Sequence, residues 1–75
     1  MTLFEAQICK PCIIRSVRIP KFSAKIRLME LGVFDGQRIT VFRKSLFKKT
    51  FLVSFGQAIF TLNAEIAREI EVIYE

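Results

Sequence analysis

Histidine is absent from this 75-residue sequence, and so is tryptophan; glycine occurs three times, proline and cysteine twice each. Without histidine the chain lacks the side chain that titrates near neutrality, the usual general base and the commonest metal ligand. Its serines, at 16, 23, 45 and 54, therefore have no base of the triad kind. No two carboxylates are clearly paired: Glu69 and Glu71 alternate along a strand-like stretch and should face water. There is no glycine-rich phosphate loop. Together these gaps argue against an enzyme and against a bound cofactor.

The cysteines, Cys9 and Cys12, stand two residues apart in "CKPC", a spacing shared by dithiol redox enzymes and by half of a zinc site. A structural zinc needs four ligands of this kind, and the chain has only two. A redox pair needs its first cysteine at a helix N-terminus, where the helix dipole holds the thiolate. Here the motif runs into "IIRSVRI", which reads as a strand. Both thiols are expected to be incidental, with Cys12 a small core residue and Cys9 nearer the surface.

No apolar run reaches the roughly 18 residues that a membrane span requires. The opening "MTLFEAQICKP" has no basic start followed by an apolar stretch, so no signal peptide is expected and the chain is placed in the cytoplasm. At this length residues 1–75 make one domain.

What the chain does have is apolar bulk and positive charge. Apolar residues make up 52%, with eight phenylalanines, more than a small core can cover, so part of this surface should meet another molecule. The net charge is +5 and unevenly spread. Eleven of twelve bases lie between residues 10 and 49, alongside only Glu30 and Asp35. Four acids and the single base Arg68 occupy the stretch from Asn63 to Glu75. A basic middle suits nucleic acid, an anionic lipid surface or an acidic protein face.

Patterning predicts about five short strands. The first runs from Cys12 to Ile19 and ends at Pro20, which cannot donate to a ladder. "FSAKIRLMELG" is a short helix with Ser23 as its N-cap, Ala24, Leu28 and Leu31 as its apolar stripe, and Gly32 as its left-handed stop. After the Asp35-Gly36 turn, "QRITVFR" sets Ile39 and Val41 against Arg38 and Thr40. "KSLFKK" breaks the alternation as a hairpin connection. "FLVSF" then points Phe51, Val53 and Phe55 inward, and "AIFTL" offers Ala58, Phe60 and Leu62. Asn63 caps a helical turn, "AEIAR", ahead of a last strand with Ile70, Val72 and Tyr74 on its apolar face. Short strands and tight turns in so small a chain indicate a small closed barrel, with the helix after the first strand plugging one end.

The run "RLMELGVFDGQRITV" resembles the signature of the FeoA family: an Arg-Leu, a helix ending in Leu-Gly, an apolar residue, then a Gly turn opening a strand. Here these are Arg27, Leu28, Leu31, Gly32, Val33, Gly36, Ile39 and Val41. The ending "LNAEIAREIEV" is similar as well, through Leu62, Ala67, Ile70 and Val72. The sequence departs from the family in three places. Asp35 stands where the family has proline, Cys9 where it often has glycine, and the loop Ser45–Lys49 has neither proline nor glycine.

The resemblance implies a mainly β, SH3-like barrel of about five strands, with one short α-helix after the first strand and a helical turn before the last. It implies a non-enzymatic cytoplasmic accessory of ferrous iron transport, acting by contact with the membrane GTPase transporter FeoB. Arg27, Leu28, Leu31, Gly32 and Gly36 are then structural signature residues, with Leu28 and Leu31 facing the barrel.

The candidate contact surface is the hairpin loop "RKSLFKKTF", where Leu46 and Phe47 sit among Arg43, Lys44, Lys48 and Lys49. Apolar residues ringed by bases suit an anionic membrane surface or a protein groove with an acidic rim. Folding back over the barrel end would instead bury the two apolar side chains. Self-association is a further role open to this surface. An alternative of another class is a basic barrel gripping single-stranded nucleic acid through Phe34, Phe42 and Phe47.

Overall fold

The computed structural model describes all 75 residues. Five antiparallel strands are joined in the order β4-β3-β2-β1-β5: β1 Cys12–Val17, β2 Arg38–Lys44, β3 Thr50–Phe55, β4 Ala58–Asn63 and β5 Ile70–Tyr74. Helix α1 (Phe22–Leu31) follows β1, and the short α2 (Ala64–Arg68) connects β4 to β5. The expected mainly β architecture, with a helix after the first strand and a helical turn before the last, is the observed one.

Two irregularities let so short a sheet curl upon itself. The β1–β5 register shifts between Ile14 and Ser16, and the β2–β3 register shifts between Val41 and Arg43. An extra residue on one strand bends it and steepens its twist. In β1 the shift changes which face is buried: Cys12 and Ile14 point inward, and then Val17. The adjacent isoleucines 13 and 14 left the inward face of this strand undecided in the sequence, and the bulge supplies the missing phase change. Strand β2 turns the corner, pairing with β1 through Arg38 and Ile39 and with β3 from Thr40 onward.

Alternation decides the core. Phe51, Val53 and Phe55 of β3 are buried, as are Ile39 and Val41 of β2 and Ile70 and Val72 of β5. Every buried residue is apolar, so no polar group has to be satisfied inside. Burial of each large side chain here stabilises the fold by about 1.5–3 kcal/mol. Strand β4 fits its pattern less well: Leu62 is buried and Phe60 half-buried, but Ala58 is exposed. Phe60 stacks on Phe55 with ring centroids 5.0 Å apart.

Helix α1 differs from expectation at its start. It starts at Phe22, after an extended Lys21, and no side chain caps it; Ser23 lies exposed within the first turn. An N-terminus open to water can leave its free N–H groups to solvent. The end does match. Gly32 has φ +101°, its N–H donates to the Met29 carbonyl at 3.0 Å, and the Val33 N–H donates to Leu28 at 2.8 Å. This is a Schellman stop, with the apolar pair Leu28 and Val33 buried beneath it. A side chain at Gly32 would meet nothing in space but would be strained by the backbone angle.

Leu31 does not plug the barrel: it is half exposed, because Val33, folded back by the Gly32 turn, fills the inward position. Leu28 is the one fully packed side chain of α1. Other short segments contribute fully buried side chains to the core. Ala67 of α2 and Leu3 and Ala6, around a 3₁₀ turn at Leu3–Glu5, are completely buried. β1 also ends earlier than Ile19, although the Arg18 N–H still donates to the Glu69 carbonyl at 2.7 Å.

Closure is partial in hydrogen-bonding terms. The outer edge of β5 is covered by the N-terminal segment, through a Thr2–Glu71 bridge and a Val72 N–H to Met1 carbonyl bond of 2.8 Å. The outer edge of β4 carries no strand. On that side α2 spans the gap between β4 and β5. Its start is held by the Asn63 side-chain oxygen, which accepts from the Ile66 N–H at 2.8 Å, as the sequence indicated.

Candidate functional site

The β2–β3 hairpin is built to hold its tip open. Lys44 pairs with Phe51 across the strands, and the Ser45 N–H donates to the Thr50 carbonyl at 2.9 Å. Ser45 then organises the turn with its side chain. Its Oγ accepts from the Lys49 N–H at 3.1 Å and from the Thr50 N–H at 2.9 Å, while its carbonyl accepts from the Lys48 N–H at 2.8 Å. A single 3₁₀ turn, Leu46–Lys48, crosses the tip.

With no glycine in the loop, two ordinary residues take left-handed angles: Phe47 at φ +66° and Lys48 at φ +54°. Each such residue costs about 1–3 kcal/mol and persists only where its surroundings impose it. Leu46 and Phe47 consequently stand 80% and 81% exposed, more than any other large apolar side chain. They do not fold back over the barrel.

Of the six residues expected at this surface, five stand at or beside the tip: Arg43, Leu46, Phe47, Lys48 and Lys49 are all exposed. Lys44 does not join them. Its Nζ turns inward, donates to the Phe4 carbonyl at 3.1 Å and lies 5.4 Å from the centre of the Phe51 ring. Burial, and then the charge of Lys48, hold this ammonium below the ordinary lysine range. Lys44 therefore braces the base of the hairpin.

Phe4 continues the brace. It stacks on Phe51 at 5.4 Å, and the Arg68 guanidinium lies 4.3 Å from its ring centre on α2. Arg68 also lines a shallow hollow of about 410 Å³ beside the tip, together with Phe47, Lys48, Lys49 and Glu65. Sequence reading missed Arg68 because it stands 19 residues beyond Lys49 in an otherwise acidic stretch. Only the placement of α2 brings it there.

A second apolar surface was also missed. Phe22, Ile26 and Met29 lie one helical turn apart on the exposed side of α1, opposite Leu28. Met29 shares a groove with Val17, Val33 and Phe34, rimmed by Lys25 and Asp35. The opposed charges give this groove no preference of sign. Phe34, Phe42 and Phe47, the aromatics of the nucleic-acid alternative, fall on the α1–β2 connection, on β2 and at the hairpin tip.

The remaining expected residues and the cysteines have plain surroundings. Gly36 has φ +89°, and its N–H donates to the Ile14 carbonyl at 2.8 Å, fixing the turn into β2. Arg27 is exposed on α1 beside a hollow shared with Leu31, Leu62 and Ile66. Cys9 is exposed with φ +64°, the left-handed angle that a glycine at this place would take freely. Cys12 is fully buried, and burial pushes its thiol up, away from a reactive thiolate. Neither cysteine begins a helix. No three of the carboxylate and thiol side chains come together as a metal-binding group.

Comparison with known proteins places this architecture. A family model described as the FeoA domain matches residues 1–74. The chain belongs to the FeoA family. Members of this family are associated with ferrous iron transport.

Several solved FeoA structures superimpose on it. The FeoA protein of Chlorobium tepidum does so with a TM-score of 0.91 at 24% identity, over 99% of this chain and 70% of the other. FeoA of Stenotrophomonas maltophilia, solved in complex with zinc, gives 0.84 at 26% identity, over 97% of this chain and 89% of that one. That protein is described as a prokaryotic SH3 domain protein. The barrel also recurs in a manganese-dependent transcriptional repressor, with a TM-score of 0.89 at 15% identity, over all of this chain and 41% of the repressor, a likeness of fold alone. No curated protein matches the sequence.

No helix of this FeoA-family chain is long and apolar enough to cross a membrane. Its two most exposed large apolar side chains, Leu46 and Phe47, stand at the hairpin tip.

Proposed function

We propose that this FeoA-family protein is a non-enzymatic accessory of ferrous iron transport that works in the cytoplasm by protein contact with the FeoB-type membrane transporter. The observation that carries this reading is the FeoA-domain match over residues 1–74. The chemistry on the surface supports it. No histidine exists, no cluster of acid and thiol side chains forms, and the most exposed large apolar side chains stand among bases at the hairpin tip, groups that bind rather than react.

The hairpin tip is the surface we assign to the membrane-bound assembly. Leu46 and Phe47 supply apolar area, Arg43, Lys48 and Lys49 supply charge, and Lys44 stiffens the base. The strained backbone at Phe47 and Lys48 supports this assignment, since strain kept in an exposed loop holds the two side chains away from the core.

Capture on the immobilised cytoplasmic part of the transporter, with and without GTP, tests the accessory reading. The wild-type chain is expected to be retained in at least one nucleotide state. No retention in either state contradicts it.

A further inference from the structure

We infer that the hairpin tip is a peripheral anchor for an anionic lipid surface: Leu46 and Phe47 enter the interface while Arg43, Lys48, Lys49 and Arg68 meet the headgroups. This deepens the reading of the protein as a transporter accessory, and rests on it, by naming what the tip touches within that assembly.

The shape of the tip comes first. Leu46 and Phe47 are adjacent, stand four-fifths exposed, and sit at the outermost turn of a two-stranded hairpin. A convex apolar point needs a deep complementary groove to dock on a protein, but a bilayer takes it in without one. The backbone keeps it convex: the left-handed Phe47 and Lys48, tied by Ser45 Oγ to Lys49 and Thr50, hold the apolar pair away from the barrel.

Charge is the second observation. Arg43, Lys48 and Lys49 are exposed on the hairpin, and Arg68 lines the hollow beside Phe47. Glu65 is the one acid lining that hollow. The balance is strongly positive around the two apolar side chains, the pattern that draws a protein to acidic headgroups. Lys44, held on the Phe4 carbonyl, takes no part. The groove beside the exposed stripe of α1 lacks this pattern, because one base, Lys25, and one acid, Asp35, line it.

Co-sedimentation with vesicles tests the inference. The wild-type protein is expected to partition onto phosphatidylglycerol vesicles at low salt, and about tenfold less onto phosphatidylcholine vesicles or at high salt. A Leu46→Ser, Phe47→Ser double variant should lose about tenfold on phosphatidylglycerol while keeping its far-UV circular dichroism. A Lys48→Glu, Lys49→Glu variant should lose at least as much. The Leu46→Ser, Phe47→Ser variant should still be captured by the soluble cytoplasmic part of the transporter, which carries no lipid.

Three results would overturn the lipid contact. They are no binding of the wild type to phosphatidylglycerol, equal binding by the folded double variant, or loss of the variant's capture by the soluble transporter part, which would assign the tip to protein. Failure of the wild type itself to be captured, with vesicle binding intact, would instead remove the accessory reading and leave the lipid contact standing.

Discussion

Replacing Phe51 with alanine is expected to cost about 3–5 kcal/mol of folding stability, the usual loss for a fully buried phenylalanine. Phe51 has no exposed surface and is the largest fully buried side chain. It joins three parts of the fold. Phe4 stacks on it at 5.4 Å from the N-terminal turn, Lys44 Nζ approaches its ring from β2, and Leu62 pairs with it across from β4. A chain of this length has a total stability of about 4–11 kcal/mol, so the substitution should remove between about a quarter and all of it and lower the denaturation midpoint accordingly. Urea denaturation followed by far-UV circular dichroism measures this, since the chain has no tryptophan to report. Phe51→Leu should keep most of the stability, because the residual cavity is smaller. A loss under about 1 kcal/mol for Phe51→Ala would mean that this core is not the one described.

Leu3→Ala carries the second large expectation, a loss of about 2–5 kcal/mol. Composition and periodicity say little about the first eight residues, yet Leu3 is completely buried and Ala6 beside it likewise. The segment also covers the β5 edge through Thr2 and Met1. Thr2 and Glu5 lock the turn: the Thr2 N–H and hydroxyl both reach the Glu5 carboxylate, at 2.9 and 3.1 Å. Those bonds draw the Glu5 carboxyl below its ordinary range. Its contribution is therefore present above the unfolded carboxyl pKa and is lost as pH falls through the lower folded value. If Leu3→Ala leaves the urea midpoint unchanged, the N-terminal turn is not part of the cooperative unit.

Much of the fold was legible in the sequence, for identifiable reasons. Strands β2, β3 and β5 carry period-two alternation, and their inward residues Ile39, Val41, Phe51, Val53, Phe55, Ile70 and Val72 are buried as read. Gly32 and Asn63 mark helix ends by a left-handed angle and a side-chain cap, both local properties. Non-local packing was not legible. Leu31 has the spacing of a core residue but loses its place to Val33, and nothing in the spacing says that a turn will fold Val33 inward. Leu3 and Ala6 lie in a stretch too short to have a period. The phase of β1 depends on a bulge, which one strand alone cannot show.

The candidate site was legible as a composition and only partly as a place. "KSLFKK" announces a break between strands, and two apolar residues among bases are visible by eye. That they point outward depends on left-handed angles at Phe47 and Lys48, in a loop without the glycine that normally signals such angles. Lys44 and Arg68 exchange the roles their positions suggest. The first turns into the hairpin base and the second arrives from α2. The "CKPC" motif, which looked most like chemistry, enters a strand and puts one thiol in the core.

Ferrous iron uptake by cells lacking this protein, with and without the wild-type chain restored, tests the central claim most directly. Uptake is expected to fall severalfold on removal of the chain, consistent with an accessory that supports transport through contact, and to return when the chain is restored. Uptake that is unchanged by removal, under iron limitation and with the transporter present, would contradict the account.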